Sequence, residues 1–163
     1  MNPSESQTCL VLGATGGIGQ VLCELLHRRG ARLVLCARGE KQLNELAAQY
    51  SAEAIPADIA QAGAVDQVVS QTMDKFGRLD ALAHCVGSIF LKPVHLTSDE
   101  EWEQTLRLNL YSAFYALRAG VKAMMKTGGS IALCSTAASL TGVPNHEAIA
   151  AAKGGINSLV LSA

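Results

Sequence analysis

The stretch 13–19 (Gly-Ala-Thr-Gly-Gly-Ile-Gly) has the composition to hold phosphate. Glycine allows a sharp turn and lets backbone approach a pyrophosphate closely. A helix that opens there aims free N–H groups and a partial positive charge at the phosphates. The candidate contacts are Gly13, Thr15, Gly16, Gly17, Ile18 and Gly19. A dinucleotide is also recognised at its adenosine ribose. Folds that prefer NAD place an acid there, about 20 residues past the glycines. Here Ala37 and Arg38 hold that place. An arginine fork suits a 2′-phosphate, whereas an acid would repel it. Arg38 therefore favours NADP, with NAD as the alternative and Glu40 a tempering charge nearby. Asn109 is a further candidate, because an amide inside an apolar helical stretch needs a hydrogen-bonding reason.

To bring these residues together, strands and helices must alternate. Thr8–Leu12 (TCLVL) reads as a buried strand just ahead of the glycines, and 17–29 as a helix stopped by Gly30. Arg32–Ala37 is a second strand that ends at Arg38. Glu40–Tyr50 and Ala64–Phe76 read as helices on either side of a short strand, Glu53–Pro56. Strands four and five are expected at 81–85 and 130–134. Ser98 with Glu101 three residues on is a capping box, and it opens one long helix over 99–125. A last helix starts near Asn145. This order gives βαβ units with right-handed crossovers. The expected fold is an α/β, Rossmann-like doubly wound parallel sheet in a three-layer αβα arrangement.

All 163 residues are read as a single dinucleotide-binding domain. Leu106, Leu110, Phe114, Leu117, Val121 and Met125 recur every three to four residues along the long helix, and by default that stripe packs on the sheet. The ending 159–163 is apolar and uncapped, and it leaves strand five as an edge. A longer chain, or a partner covering the edge, is expected.

Composition narrows the partners. A net charge of −1 with 17% charged residues gives no ground for nucleic acid or an anionic membrane surface. No apolar run is long enough to span a bilayer. Residues 1–7 have no basic segment followed by an apolar one, so no secretion signal is expected. Five cysteines (Cys9, Cys23, Cys36, Cys85 and Cys134) show no metal-ligand spacing. They read as reduced core thiols of a cytoplasmic protein, with Cys85 the one that could be reactive instead.

The glycine spacing is G-x-x-x-G-x-G. From about Thr8 onward the chain resembles the short-chain dehydrogenase/reductase family, which carries T-G-x-x-x-G-[IL]-G here; Leu12 stands in for the threonine. The resemblance implies further cofactor contacts. Asp58, with Ile59 beside it, would accept a hydrogen bond from the adenine amino group; a turn or cap role is the alternative. Gly87 matches the family's N-[N]-A-G segment, with Cys85 and Val86 replacing the asparagine and alanine. His84 reads as a core or strand-end histidine. His95 and Trp102 lie near the long helix; His95 follows Pro93 in a loop that borders the family's substrate cleft, where a surface role suffices.

The resemblance also implies a catalytic set of asparagine, serine, tyrosine and lysine. In the family the tyrosine protonates the carbonyl oxygen as the cofactor delivers hydride, and the lysine lowers the tyrosine pKa and binds the nicotinamide ribose. The serine orients the carbonyl, and the asparagine holds a water in the proton relay. Asn109 and Lys153 match, Lys153 among small neighbours. Thr136 stands at the serine position, with Ser135 a second candidate. Ile149 stands four residues before Lys153, where the tyrosine should be, and has no proton to give. General acid–base chemistry contributes about 10² to 10⁴-fold in rate. His146, three residues before Ile149 and on the same helical face, is the candidate substitute acid; the alternative is an exposed residue in the first helical turn beside an Asn145 cap.

Two functions are expected to compete. One is an NADP-dependent oxidoreductase acting on a small-molecule carbonyl or alcohol. The other is a non-catalytic NADP-binding protein with a structural or sensing role. The family resemblance further implies a homodimer or homotetramer, and a C-terminal part of the family fold that lies beyond this sequence.

Overall fold

The structure, a computed structural model, describes residues 6–163. Residues 1–5 of the polar N-terminal stretch lie outside the described residues. Five strands form one parallel sheet in the order β3-β2-β1-β4-β5: β1 Thr8–Leu12, β2 Arg32–Ala37, β3 Glu53–Pro56, β4 Ala81–His84 and β5 Ser130–Leu133. All five residues of β1 are buried, as expected of a central strand covered on both faces.

Alternate residues of the strands feed two cores. Leu10, Leu12, Val34, Cys36 and Leu82 join α3 (Ala64–Phe76) and α5 (Ser112–Met124) on one face. Cys9, Val11, Leu33 and Leu35 join α1 (Gly17–Arg28) and α2 (Glu40–Tyr50) on the other. The fold is therefore the doubly wound αβα arrangement. Sheet order reverses between β1 and β4, and a ligand crevice opens at the carboxyl ends of the strands at such a switch point.

Several details differ from the sequence reading. Strands β4 and β5 stop at His84 and Leu133, so Cys85 and Cys134 lie just beyond their ends. The long helix is continuous in direction but not in register: α4 (Asp99–Leu106), opened by the Ser98 capping box, passes through a π-helical segment, Arg107–Tyr111, into α5. The last helix, α6 (Glu147–Ser162), is preceded by His146 at the cap, while Asn145 takes a left-handed conformation at φ 63°. The apolar stripe is only half covered, with Leu106, Leu110 and Leu117 partly buried. Phe114, Val121 and Met125 are exposed, and small residues (Ala113, Ala116, Ala119 and Gly120) turn inward instead. Small side chains let the α5 backbone lie close to the strands: a methyl group on Gly120 would meet Ile131 Cδ1 at 2.8 Å. Among the described residues no helix is long and apolar enough to cross a membrane.

Candidate active site

The glycine turn leaves β1 and folds under the first turn of α1. Gly13 takes φ 82°, which glycine adopts freely. The Gly13 and Ala14 amides donate to the Cys36 carbonyl at 2.8 and 3.1 Å, tying the turn to β2. A methyl group on Gly19 would stand 2.2 Å from the Gly13 carbonyl oxygen, so only glycine fits there. No side chain caps α1, which leaves amides of its first turn for a ligand.

A cleft of about 640 Å³, including its open mouth, lies against this turn. Gly13, Thr15, Gly16, Arg38, Asp58, Ile59, Cys85, Val86 and Gly87 line it, all residues named from the sequence. Gly17 and Ile18 are exposed on the first turn of α1 and do not line it, and Gly19 is buried beneath the turn. Cys36, Ala37, Ala57 and Leu108 also line the cleft and were not anticipated as contacts. Ala37 and Ala57 adjoin the strand ends that carry Arg38 and Asp58, so position alone could have found them. Leu108 comes from the π segment, which has no sequence signal.

Arg38 is exposed at the cleft and has no ion pair among the described residues. Asp58 is partly spent on its own loop, where its carboxylate accepts from the Ala60 amide at 3.2 Å and the Gln61 side chain at 3.4 Å.

Lys153 is the least expected charge in the molecule. It is only 6% exposed. Its ammonium donates to the Cys134 carbonyl at 2.8 Å and the Val86 carbonyl at 3.3 Å. Burial pushes its pKa down, against a smaller upward pull from Cys134 and Cys85. A methyl group on Gly87 would stand 2.9 Å from Asn109 Oδ1 and 3.0 Å from Lys153 Nζ. Gly87, Asn109 and Lys153 thus converge at one end of the cleft. The Asn109 side chain is fully buried and fully used. Its Oδ1 accepts from the Ser88 amide at 3.1 Å, and its Nδ2 donates to the Thr105 carbonyl at 3.0 Å and to Ser88 Oγ at 3.2 Å. It clamps the loop after β4 onto the helix.

A second clamp holds the π segment. The Ser112 amide donates to the Arg107 carbonyl, five residues back. Ser112 Oγ donates instead to the Leu108 carbonyl at 2.5 Å. With that proton committed, the contact at 2.9 Å between Ser112 Oγ and His84 Nε2 requires the histidine to donate. His84 is fully buried, and its Nδ1 has no partner among the described residues. Burial first, then the Lys153 charge, pushes its pKa down to about 4, so the ring is neutral near pH 7.

Of the two hydroxyl candidates, Ser135 Oγ donates to the Lys153 carbonyl at 2.8 Å and joins the end of β5 to α6. Thr136 Oγ1 accepts from the Ala138 amide at 3.3 Å and caps a short 3₁₀ turn, Ala137–Ser139. Ile149 is buried at 5% exposure among the small residues Ala148 and Ala152. His146 is partly exposed and does not line the cleft; its Nδ1 donates to the Pro144 carbonyl at 2.8 Å. His95 is exposed in a 3₁₀ turn, Val94–Leu96. No cluster of three or more metal-ligating groups is found among the described residues.

The parallel sheet and the glycine-lined cleft at its switch point define a class, the Rossmann-like doubly wound αβα fold. Residues 13–163 match the family described as enoyl-(acyl carrier protein) reductase. Short-chain dehydrogenase/reductase aba4 of Botryotinia fuckeliana is 34% identical over 99% of this chain and 66% of its own length. Cyclopentanol dehydrogenase of a Comamonas species is 32% identical over 96% of this chain and 65% of its own. Actinorhodin polyketide ketoreductase, solved with NADPH, superposes with a TM-score of 0.91 at 25% identity, over 96% of this chain and 63% of the other. The chain belongs to the short-chain dehydrogenase/reductase family. It spans less than two thirds of the length of these relatives.

Proposed function

We propose that the protein is an oxidoreductase that moves hydride between NADP(H) and a small carbonyl or alcohol substrate. The convergence of the buried Lys153 ammonium with Asn109 on Gly87, at the end of a glycine-turn cleft, carries this reading. The residues present fit such a cofactor. Gly19 cannot carry a side chain, the first-turn amides of α1 have no side-chain cap, and Arg38 is a guanidinium at the cleft with no ion pair among the described residues. When bound, NADP(H) supplies or accepts the hydride.

The chain's own residues divide the remaining work. Gly13, Thr15, Gly16 and the start of α1 receive the pyrophosphate. Arg38 pairs with the 2′-phosphate and gives NADP precedence over NAD. Asp58 and Ile59 face the adenine. Cys85, Val86 and Gly87 form the floor toward the nicotinamide end. Lys153 binds ribose hydroxyls there, held in place by its two carbonyl acceptors. Thr136 orients the substrate oxygen, which requires its hydroxyl to leave the Ala138 amide. Ile149 has no proton to give, so the carbonyl oxygen needs another donor. His146 is our candidate. Its Nδ1 is committed to the Pro144 carbonyl, so Nε2 is the atom that would serve the substrate oxygen. We infer a cytoplasmic setting from the five free thiols. We also infer a homodimer or homotetramer built on the exposed stripe of Phe114, Val121 and Met125.

The test follows NADPH oxidation against a panel of aldehydes and ketones, for the wild type and for His146→Ala. We expect turnover with at least one carbonyl and a tenfold or greater loss in the variant. NADPH binding without turnover on any substrate would overturn the oxidoreductase reading. It would leave a nucleotide-binding protein with a structural or sensing role.

A further inference from the structure

Two thiols stand side by side at the carboxyl edge of the sheet. β4 and β5 pair in parallel with His84 opposite Leu133. The Cys134 amide continues that ladder by donating to the His84 carbonyl at 3.2 Å. The next pair in this register is Cys85 and Cys134. Neighbouring strands lie about 4.8 Å apart, inside the Cα separation of about 4.4–6.8 Å that a disulfide spans. In-register residues of parallel strands also point to the same face. The remaining thiols differ, since Cys9, Cys23 and Cys36 are buried whereas Cys85 and Cys134 are only partly so. Cys85 also lines the cleft, where a small solute can reach it.

We propose that Cys85 and Cys134 are a redox modification site, closing reversibly into a cross-strand disulfide with a small disulfide oxidant such as oxidised glutathione. Burial, then the neighbouring Cys134, pushes the Cys85 thiol up to about 12, so Cys85 keeps its proton in the resting pair. The Cys134 thiol loses its proton and attacks first, on one sulfur of oxidised glutathione. The glutathione S–S bond breaks, and one glutathione leaves. Cys85 then gives up its proton and displaces the second glutathione. Two S–H bonds are lost, one S–S bond forms, and oxidised glutathione takes both electrons and both protons to become two thiols. The new bond joins the two strand ends whose Cys134 and Val86 carbonyls hold the Lys153 ammonium.

The experiment treats the folded chain with oxidised glutathione and reads intact mass, followed by peptide mapping. The expected product has lost two hydrogens, carries one Cys85–Cys134 link and returns to the starting mass with dithiothreitol. Cys85→Ser should instead stop at a single glutathione adduct on Cys134, and Cys134→Ser should not close. Circular dichroism of both variants checks that they fold. A chain that stays fully reduced, that keeps glutathione without closing, or that links another pair such as Cys23 with Cys85 would overturn the proposal.

Discussion

Gly17 and Gly19 sit two residues apart and carry opposite constraints. A methyl group on Gly19 collides with the Gly13 carbonyl, which is backbone and cannot swing aside. A methyl group on Gly17 meets nothing within 4 Å. Gly19→Ala should therefore destabilise the fold by about 3 kcal/mol, and Gly17→Ala should leave stability level or raise it by about 0.5 kcal/mol, both read by urea titration. Equal effects would contradict the turn geometry. At this scale the sequence was informative where chemistry follows from residue type. The glycines and Arg38 could be named from residue type, and Asp58 and Lys153 from the family resemblance; of these, all but Gly17, Gly19 and Lys153 line the cleft. Lys153 instead reaches its end through Gly87. What could not be read was how each polar side chain spends its bonds. Ser135 and Thr136 look alike as hydroxyls, yet one holds α6 and the other caps a turn. That choice depends on a helix that arrives later in the chain.

The helix running from Asp99 to Met124 shows what periodicity misses. Its start was legible because a capping box is local chemistry. Its register shift was not, because one extra residue in a turn leaves the apolar pattern nearly unchanged. The shift is tied to β4, since Ser112 Oγ accepts from His84 Nε2 while it donates to the Leu108 carbonyl. Such π segments occur often at functional sites, and this one presents Leu108 to the cleft and Asn109 to Ser88. Ser112→Ala removes the hydroxyl that accepts from His84 Nε2 and donates to the Leu108 carbonyl. The expected loss is about 1–3 kcal/mol in a urea titration. A loss well below that range would mean the helix relaxes to an α register without cost. The exposed half of the stripe was misassigned for a related reason. Periodicity identifies a face, but the alanines and Gly120 on the opposite face are what permit close approach to the sheet.

Across the whole molecule, alternation of strands and helices was enough to give the sheet and its two-sided core. The order of strands around the switch point then places the cleft. Burial of His84 in that core makes stability depend on pH. Its folded pKa near 4 lies below the ordinary 6.5, so the unfolded chain binds a proton that the native chain refuses. Stability is thus full above pH 6.5 and falls as pH drops toward 4, by up to about 3 kcal/mol. Urea titrations across that range should show the slope, and His84→Gln should flatten it.

If the glycine cleft is an NADP site, fluorescence titration of the folded chain with NADPH and with NADH should give a lower dissociation constant for NADPH, and Arg38→Ala should bring the two values together. No binding of either nucleotide, or tighter binding of NADH by the wild type, would contradict that assignment.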